Sequence, residues 1–592
     1  MQALQEILNV KNSAANQCWV MRPYEERTAM TMAQRHKLPE IITRILAQRD
    51  VEPEYALQHI EAKIRDFMPD PSGLADMDKA TTRLADALIG QEKIAVFGDY
   101  DVDGASSAAL ILRYFAACGQ AVRVYIPDRT KEGYGPNIEA FRLLQKEGMR
   151  LIITVDCGTM AHEALAFAKQ ADMDVIVADH HQIGTQLPAC FALINPRRGD
   201  DMSGLGYLAA VGVTYLLLIS LNRALRQRGY FADREEPNLF NLLDIVALGT
   251  VCDVVPLQGL NRAFVKQGLK VMAKRQNIGI KVLADMARLN GAPSVFDCGF
   301  ALGPRINAGG RIGDSMLGVR LLSTQNADEA VALATRMDEL NNERRLIGDT
   351  ALAIADAEII ARIEKLNRLP PVLLIADARF HIGILGIVAG RLKDKYRRPC
   401  FVLALDKEGR AKGSARSVSK VDIGSLVTQA VHAQIIERGG GHAMAAGVTL
   451  TADQLAGFEN WLIEKCSAFD FDDPHYLHID AMISTDGIHR AFYEQLQQAA
   501  PYGVGNPTPR FVIPTAHIRY ADFVGEAQHV RCRIASNGGR TIKAIAFAST
   551  AENVRKLIYN KSAPLHIAGY LRADDWQGRE DVQFEIHDVA QA

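Results

Sequence analysis

Short apolar runs rich in β-branched residues recur in the first third of the chain, each ending in Gly or followed by Asp: Ile94-Ala-Val-Phe-Gly98, Leu151-Ile-Ile-Thr-Val155 and Val175-Ile-Val-Ala178. Runs of this length between turn residues predict buried strands. Strands are expected at 93–97, 121–126, 150–155 and 173–178, separated by helices at 105–118, 137–148 and 160–171 and preceded by one at 80–90. Such alternation builds βαβ units around a mainly parallel sheet, an α/β fold. Helices follow at 206–228, 238–251 and 260–274, and the breaker-poor stretch 327–366 reads as one long helix bridging two domains. A second α/β domain is expected from strands at 371–376 and 400–405, a helix at 384–396 and Gly-rich turns at 413 and 439–441. From Pro509 the pattern becomes strands at 510–523, 528–536 and 540–548, a helix at 551–559 and strands at 564–573 and 581–588, the order of an OB-fold β-barrel. Residues 1 to 75 read as helical.

Composition narrows the class. With 592 residues, 48% hydrophobic and 23% charged, the chain is expected to be a soluble multidomain protein. Its longest apolar stretch, 208–219, is too short to span a bilayer, and Met1–Glu6 has no signal-peptide layout. Nine scattered cysteines without a C-x-x-C argue for the reducing cytoplasm and against structural zinc or disulfides. A net charge of −2 excludes a polycation, but residues 361–420 hold 14 Lys and Arg against 5 Asp and Glu. That segment is either a solvated basic face or a contact for a polyanion such as nucleic acid.

The chemistry lies just beyond the strands. In open α/β sheets the carboxyl ends of the strands line the active crevice, which brings Asp99, Asp101, Asp103, Asp156, Asp179, His180 and His181 to one place. Carboxylates so crowded repel one another, and a pair of divalent cations is the natural remedy. Asp99-Tyr-Asp-Val-Asp-Gly104 opens like an EF-hand loop, but the position of its bidentate Glu is Leu110 and a strand precedes it. Asp101-Val-Asp103 at a strand end also suits an aspartyl nucleophile, an alternative that leaves Asp179-His-His181 unexplained. Imidazole among carboxylates fits Mn²⁺, or Mg²⁺ with a nitrogen ligand. Asp253, after an apolar helix, is either a helix cap or a further ligand.

Eight motifs in order carry a family resemblance: Phe97-Gly-Asp-Tyr-Asp-Val-Asp-Gly104, Val155-Asp-Cys-Gly158, Asp179-His-His181, Cys252-Asp-Val-Val-Pro256, Gly303-Pro-Arg-Ile-Asn-Ala-Gly-Gly-Arg311, Gly413-Ser-Ala-Arg-Ser417, Gly439-Gly-Gly-His442 and Pro501-Tyr-Gly-Val-Gly-Asn-Pro507. The chain resembles the DHH phosphoesterase superfamily and, within it, the bacterial exonucleases that degrade single-stranded DNA from the 5′ end. The resemblance implies two-metal hydrolysis to 5′-mononucleotides in recombination and repair, with two Mg²⁺ or Mn²⁺ ions held by Asp101, Asp103, Asp156, His180 and Asp253. Asp156 or Asp103 would bridge the ions and His181 would orient a ligand or polarise the phosphate. The family's smaller pyrophosphatases carry a His where this chain has Phe97, so Asp99 or water is left to complete one metal, unless Asp99 only hydrogen-bonds its loop. Ser414 and Arg416 would hold the 5′ phosphate, and Gly440, Gly441 and His442 would admit the substrate closely. Arg129 would add a phosphate contact, Tyr134 either stacks on a base or packs in the core, and Arg305 and Arg311, flanking Asn307, would stabilise charge on the phosphate. Lys543, Arg531, Arg533 and Arg540 are expected contacts of the barrel.

The implied division is an N-terminal segment (1–75) packed on the DHH catalytic domain (76–325), the bridging helix (326–366), a DHH-associated substrate domain (367–470), a connector (471–508) and the OB-fold domain (509–592). The resemblance also implies a monomer working with single-strand DNA-binding protein and a RecQ-type helicase, away from membranes. Two alternatives stay open: a DHH phosphodiesterase acting on short oligonucleotides or small nucleotides such as 3′-phosphoadenosine 5′-phosphate, and a nonenzymatic replication scaffold.

Overall fold

A computed structural model describes residues 4–592 apart from 130, 290, 472–473, 526–528, 561–562 and 575–580, so the strand expected at 528–536 starts on a residue outside the described ones. The chain forms two compact units, one of Pro69–Asp253 with Gly268–Asp473 and one of Met1–Met68, Val254–Gln267 and Pro474–Ala592.

In the first of these units a five-stranded, wholly parallel sheet runs in the order Arg123–Tyr125, Ile94–Gly98, Leu151–Val155, Asp174–Ala178, Ala192–Ile194. The last strand, Ala192–Ile194, was not among those expected from the sequence. Ile94–Gly98 and Leu151–Val155 are buried at every position, as strands covered on both faces must be. On one face Phe97 and Ile152 pack with Phe141, Leu144 and Leu165. From Ile94–Gly98 the chain steps to Arg123–Tyr125 on one side and then returns to Leu151–Val155 on the other, so the strand order reverses there. Ligand crevices open at such a reversal, beyond the strand carboxyl ends.

The long helix runs Ala327–Leu366 without a break. Asn326 caps it by accepting from the Asp328 and Glu329 amides, and Asn367 ends it in the left-handed region at φ 51°. Ala351, Ala355 and Ile359 pack with Leu373, Ile375 and Val388 of the second α/β domain. There a mixed sheet runs Arg438–His442, Ala445–Thr451, Arg410–Arg416, Cys400–Leu405, Leu373–Asp377. The expected turns at Gly413 and Gly439–Gly441 are strand interiors instead. A Cβ on Gly413 would lie 2.5 Å from Leu403 Cγ, and one on Gly439 would lie 2.4 Å from Val427 Cγ1, so close packing rather than turning selects glycine.

The other unit corrects the reading of the amino terminus. Gln5–Glu6 and Cys18–Met21 are strands, and Cys18–Met21 pairs in parallel with Tyr476–Ile479. Trp19 is fully buried and its indole N–H donates to Asp588 at 2.8 Å. Met32, Ile42, Ile45 and Leu46 share a core with Phe511, Ile534, Ile567 and Phe584 of the barrel. Residues 1–68 therefore belong with the carboxy-terminal barrel and not with the catalytic domain. The barrel closes as expected: Phe511–Val524 pairs with both His529–Ala535 and Leu565–Asp574, and Asp581–Gln591 joins Thr541–Ala546 to Leu565–Asp574.

Arg262 holds this unit from inside. Fully buried, it donates to the carbonyl oxygens of His59, Ala499, Ala500 and Pro501, and burial pushes its pKa down to about 10. Replacing Arg262 by Met leaves these acceptors without their donor, an expected loss of about 3 kcal/mol. Scanning calorimetry should show the transition of this unit about 5–10 °C lower. An unshifted transition would remove Arg262 from the list of structural supports.

Candidate active site: an acidic cluster beside a basic cleft

The acidic residues meet at the reversal in strand order. Asp99, Asp101 and Asp103 follow the strand Ile94–Gly98, Asp156 follows Leu151–Val155, and His180 and His181 follow Asp174–Ala178. Asp253 caps the carboxyl end of the helix Leu243–Cys252. Three sets of donor atoms lie within 4.8 Å of one another: Asp99, Asp101 and Asp156; Asp103, His180 and Asp253; Asp156, His180 and His181.

Three of the carboxylates are held from behind by backbone amides. Asp101 accepts from the Asp103 and Gly104 amides at the start of the helix Val102–Ala117. Asp103 accepts from the Ala210 and Val211 amides at 2.7 and 2.9 Å, so it sits on the amino terminus of the helix Ala210–Gln227, where negative charge is favoured. Asp99 accepts from the Tyr100 amide at 2.8 Å, and its carboxylate also falls in one of the three donor sets. Asp156 has φ 59°, a left-handed conformation that costs an ordinary residue energy and that marks functional sites.

His180 shows what the cluster is for. Its Nδ1 meets the Leu208 carbonyl at 3.0 Å and so carries the ring proton, which leaves a lone pair on Nε2. That Nε2 faces Asp156 Oδ1 at 3.3 Å, Asp253 Oδ2 at 3.6 Å and Asp103 Oδ2 at 4.0 Å. Nε2, Asp156 Oδ1 and Asp253 Oδ2 are all buried and have no hydrogen-bond partner among the described residues. Acceptors aimed at acceptors are explained by a cation between them. Burial first, and then repulsion from the neighbouring carboxylates, pushes Asp103 up to about 7, Asp253 up to about 9, and Asp99 and Asp156 well above the carboxylate range. Burial, and after it the charge of His181, lowers His180 to about 4, so its ring is neutral and able to bind metal. The donor set fits divalent cations.

Asp179 belongs to the support. Its carboxylate accepts from the His180 and His181 amides, the Thr159 amide and His181 Nδ1, the last at 2.7 Å. Burial alone would raise its pKa; His181 and Thr159 outweigh that and hold it below the usual range. Tyr134 is 53% exposed, and its hydroxyl lies 3.2 Å from both the Asp156 carbonyl and His181 Nε2, at the rim of the cluster rather than in the core. Phe97 stacks on Tyr125 inside the sheet core, so no ligand comes from that position.

A cleft of about 730 Å³ opens beside Tyr100 and Tyr134. Arg129, Lys131, Lys412, Arg416 and Arg438 line it, with Ser414, Gly440 and Gly441. A Cβ on Gly440 would touch nothing, so the cleft floor there is bare backbone. His442 is exposed at the end of its strand. Arg129 lies over the Tyr100 ring at 5.1 Å and joins Arg311 and His381 around a smaller pocket of about 140 Å³. Burial, then Arg129, lowers Arg311 to about 10. Arg305 is spent elsewhere, on Asp338 at 2.8 Å and the Ala301 carbonyl, while Asn307 sits partly buried on the same helix, Gly303–Ile312. Lys412 and Arg438 were missed as individuals, and only the basic run 361–420 pointed toward the first of them. Much of that run is neutralised, through Arg362–Glu358, Arg379–Asp377, Arg391–Asp349 and Lys395–Asp356.

On the barrel, Arg540 donates to the Thr485 and Ile488 carbonyls and Lys543 pairs with Asp574 and Asp581, so both are structural. Arg533, across from Tyr520 on the outer face, is exposed, as is Arg531, whose guanidinium lies 3.9 Å from Asp522.

Comparison with known proteins fits this geometry. Residues 93–250 match the DHH family N-terminal domain, 370–468 the DHHA1 domain and 479–588 the RecJ OB domain. The chain is 33% identical over 564 residues to the single-stranded-DNA-specific exonuclease RecJ of Dickeya dadantii (strain 3937), covering 93% of this chain and 96% of that one. It belongs to the RecJ exonuclease family. The Escherichia coli (strain K12) member is 33% identical over 573 residues, with the same coverage of 93% and 96%. The crystal structure of RecJ in complex with Mn²⁺ from Thermus thermophilus superposes with a TM-score of 0.76 at 25% identity, covering 96% of this chain and 78% of that one. As a member of this family the chain is a metal-dependent exonuclease. None of its described helices is long and apolar enough to cross a membrane.

Proposed function

We propose that the chain is a single-strand-specific 5′→3′ exodeoxyribonuclease that releases 5′-mononucleotides and acts in DNA recombination and repair in the cytoplasm. The observation that carries this reading is the set of buried, partnerless ligand atoms on Asp156, His180 and Asp253, next to a cleft lined by arginine and lysine. Asp101, Asp103, Asp156, His180 and Asp253, with Asp99 close by, would hold two divalent ions, Mg²⁺ or Mn²⁺. Bound there, such ions supply the positive charge that acidifies water and offsets charge growing on a phosphoryl oxygen. His181, fixed by Asp179, presents an imidazole to the reacting phosphate, and Arg311 adds a half-buried guanidinium. Arg129, Ser414 and Arg416 receive the 5′ phosphate and so set polarity, and the bare glycines let one strand lie close. The barrel, through Arg531, Arg533 and Tyr520, adds its own contacts to single-stranded DNA. The enzyme works as a monomer, with single-strand DNA-binding protein and a RecQ-type helicase as partners.

End-labelled single strand, duplex and dinucleotide, each offered with Mg²⁺ or Mn²⁺ and with chelator, test this. Stepwise release of 5′-mononucleotides from the 5′ end of single strands, abolished by chelator, is expected. Preference for the dinucleotide would favour a small-substrate phosphodiesterase instead.

A further inference from the structure

Phe296 and Phe300 stack on each other with ring centroids 4.8 Å apart and planes 23° from parallel. Yet 58% and 73% of their surfaces remain exposed. Large aromatic rings gain much from leaving water, so two of them left outside as a stack mark a contact surface. They sit on the short helix Val295–Asp297 and the π-turn Cys298–Leu302, directly ahead of the helix Gly303–Ile312 that carries Arg311. The reciprocal cap between Ser294 and Asp297 fixes the start of the turn, and π-turns concentrate at functional sites.

The inner side of this turn rests on the metal-site scaffold. Cys252 Sγ donates to the Cys298 carbonyl at 3.4 Å, and a Cβ on Gly303 would come within 2.5 Å of Cys252 Sγ. The next residue is Asp253, whose Oδ2 faces His180 Nε2 at 3.6 Å. The turn that carries the aromatic stack is thus packed directly on Cys252, the residue before Asp253. We propose that Phe296 and Phe300 form a platform on which bases of the substrate strand stack beside the cleavage site. This rests on the single-strand nuclease reading above and extends it. Stacking holds a strand whatever its sequence, since every base has a π face, and duplex bases, already stacked in their helix, cannot use the platform.

The test compares the parent with Phe300→Ala, Phe296→Ala/Phe300→Ala and Phe300→Trp. Binding of a fluorescent oligothymidylate is followed by anisotropy in chelator, and cleavage is measured with metal. The alanine variants should bind the oligothymidylate about 5- to 100-fold more weakly, with the loss in KM rather than kcat. The loss should shrink on a dinucleotide and on an abasic strand. Phe300→Trp should keep parental affinity, and its emission should be quenched by the strand; this variant reports even if an alanine variant folds poorly. Parental affinity in the double variant, while the parent digests single strands, overturns the platform and leaves the stack as a protein contact. No digestion of single strands by the parent overturns the nuclease reading itself, and the platform with it.

Discussion

Asp156→Ala is expected to lower cleavage of single-stranded DNA by about 10³-fold or more while leaving the fold in place. Asp156 Oδ1 stands 3.3 Å from His180 Nε2, and the residue falls in two of the three candidate ligand sets, so its removal weakens the whole cluster. The apoprotein should not suffer for it. Burial and the charges of Asp103, Asp101, Asp99 and Asp253 all work against an ionised Asp156, so deleting the carboxylate relieves repulsion. The backbone there is left-handed at φ 59°, which Ala tolerates less well than Asp, so the substitution gives back part of that gain. In chelator the variant should therefore melt at or slightly above the parent. With Mn²⁺ added, the parent should rise in melting temperature and the variant much less, because only a ligand bound by the native state stabilises it. A variant that melts like the parent in chelator, gains the same increment from Mn²⁺ and still turns over would sink the metal-site assignment.

How far this site was legible depends on range. Asp99 to Asp103, Asp156 and Asp179 to His181 were readable because each follows a buried β-branched run, and a parallel sheet brings such ends together. What was not readable is how they are held. The amides under Asp103 come from Ala210 and Val211, more than a hundred residues later, and nothing local in Ala209-Ala-Val-Gly212 announces a carboxylate. Arg305 looked like a phosphate contact because of its motif, but Asp338 on the bridging helix claims it. The same limit misplaced the amino terminus. Trp19 and Asp588 lie 569 positions apart, and their hydrogen bond helps tie residues 1–68 to the barrel. Removing residues 509–592 would thus also strip cover from Ile42, Ile45 and Leu46, so surface changes at Arg533 and Tyr520 are the cleaner probe of the barrel's grip.

With Arg416 receiving the 5′ phosphate as proposed, Arg416→Ala should lower kcat/KM on a 5′-phosphorylated strand by about 10- to 100-fold and change it little on a 5′-hydroxyl strand. In the strand Arg410–Arg416, alternation puts Ser414 and Arg416 on the same face. Arg416 Nη1 lies 3.2 Å from Ser414 Oγ and donates to the Ala415 carbonyl at 2.8 Å, which fixes the guanidinium. Gly386, in the first turn of the helix Leu385–Tyr396, leaves room for it: a Cβ there would fall 2.8 Å from Arg416 Nη2 and 3.1 Å from Ser414 Oγ. A guanidinium, a hydroxyl and a helix amino terminus thus surround one spot on the cleft wall, a combination suited to phosphate. Burial, and then the charge of Arg129, lowers the pKa of Arg416, so an arriving dianion would relieve two cations that repel each other. Lys at position 416 keeps the charge but loses the fork, and should restore only part of the lost kcat/KM. Gly386→Ala should mimic the loss by displacing the guanidinium, with Arg416 itself intact. Kinetics on strands that differ only in the terminal phosphate decide the matter: equal ratios in parent and Arg416→Ala would place the 5′ end elsewhere in the cleft.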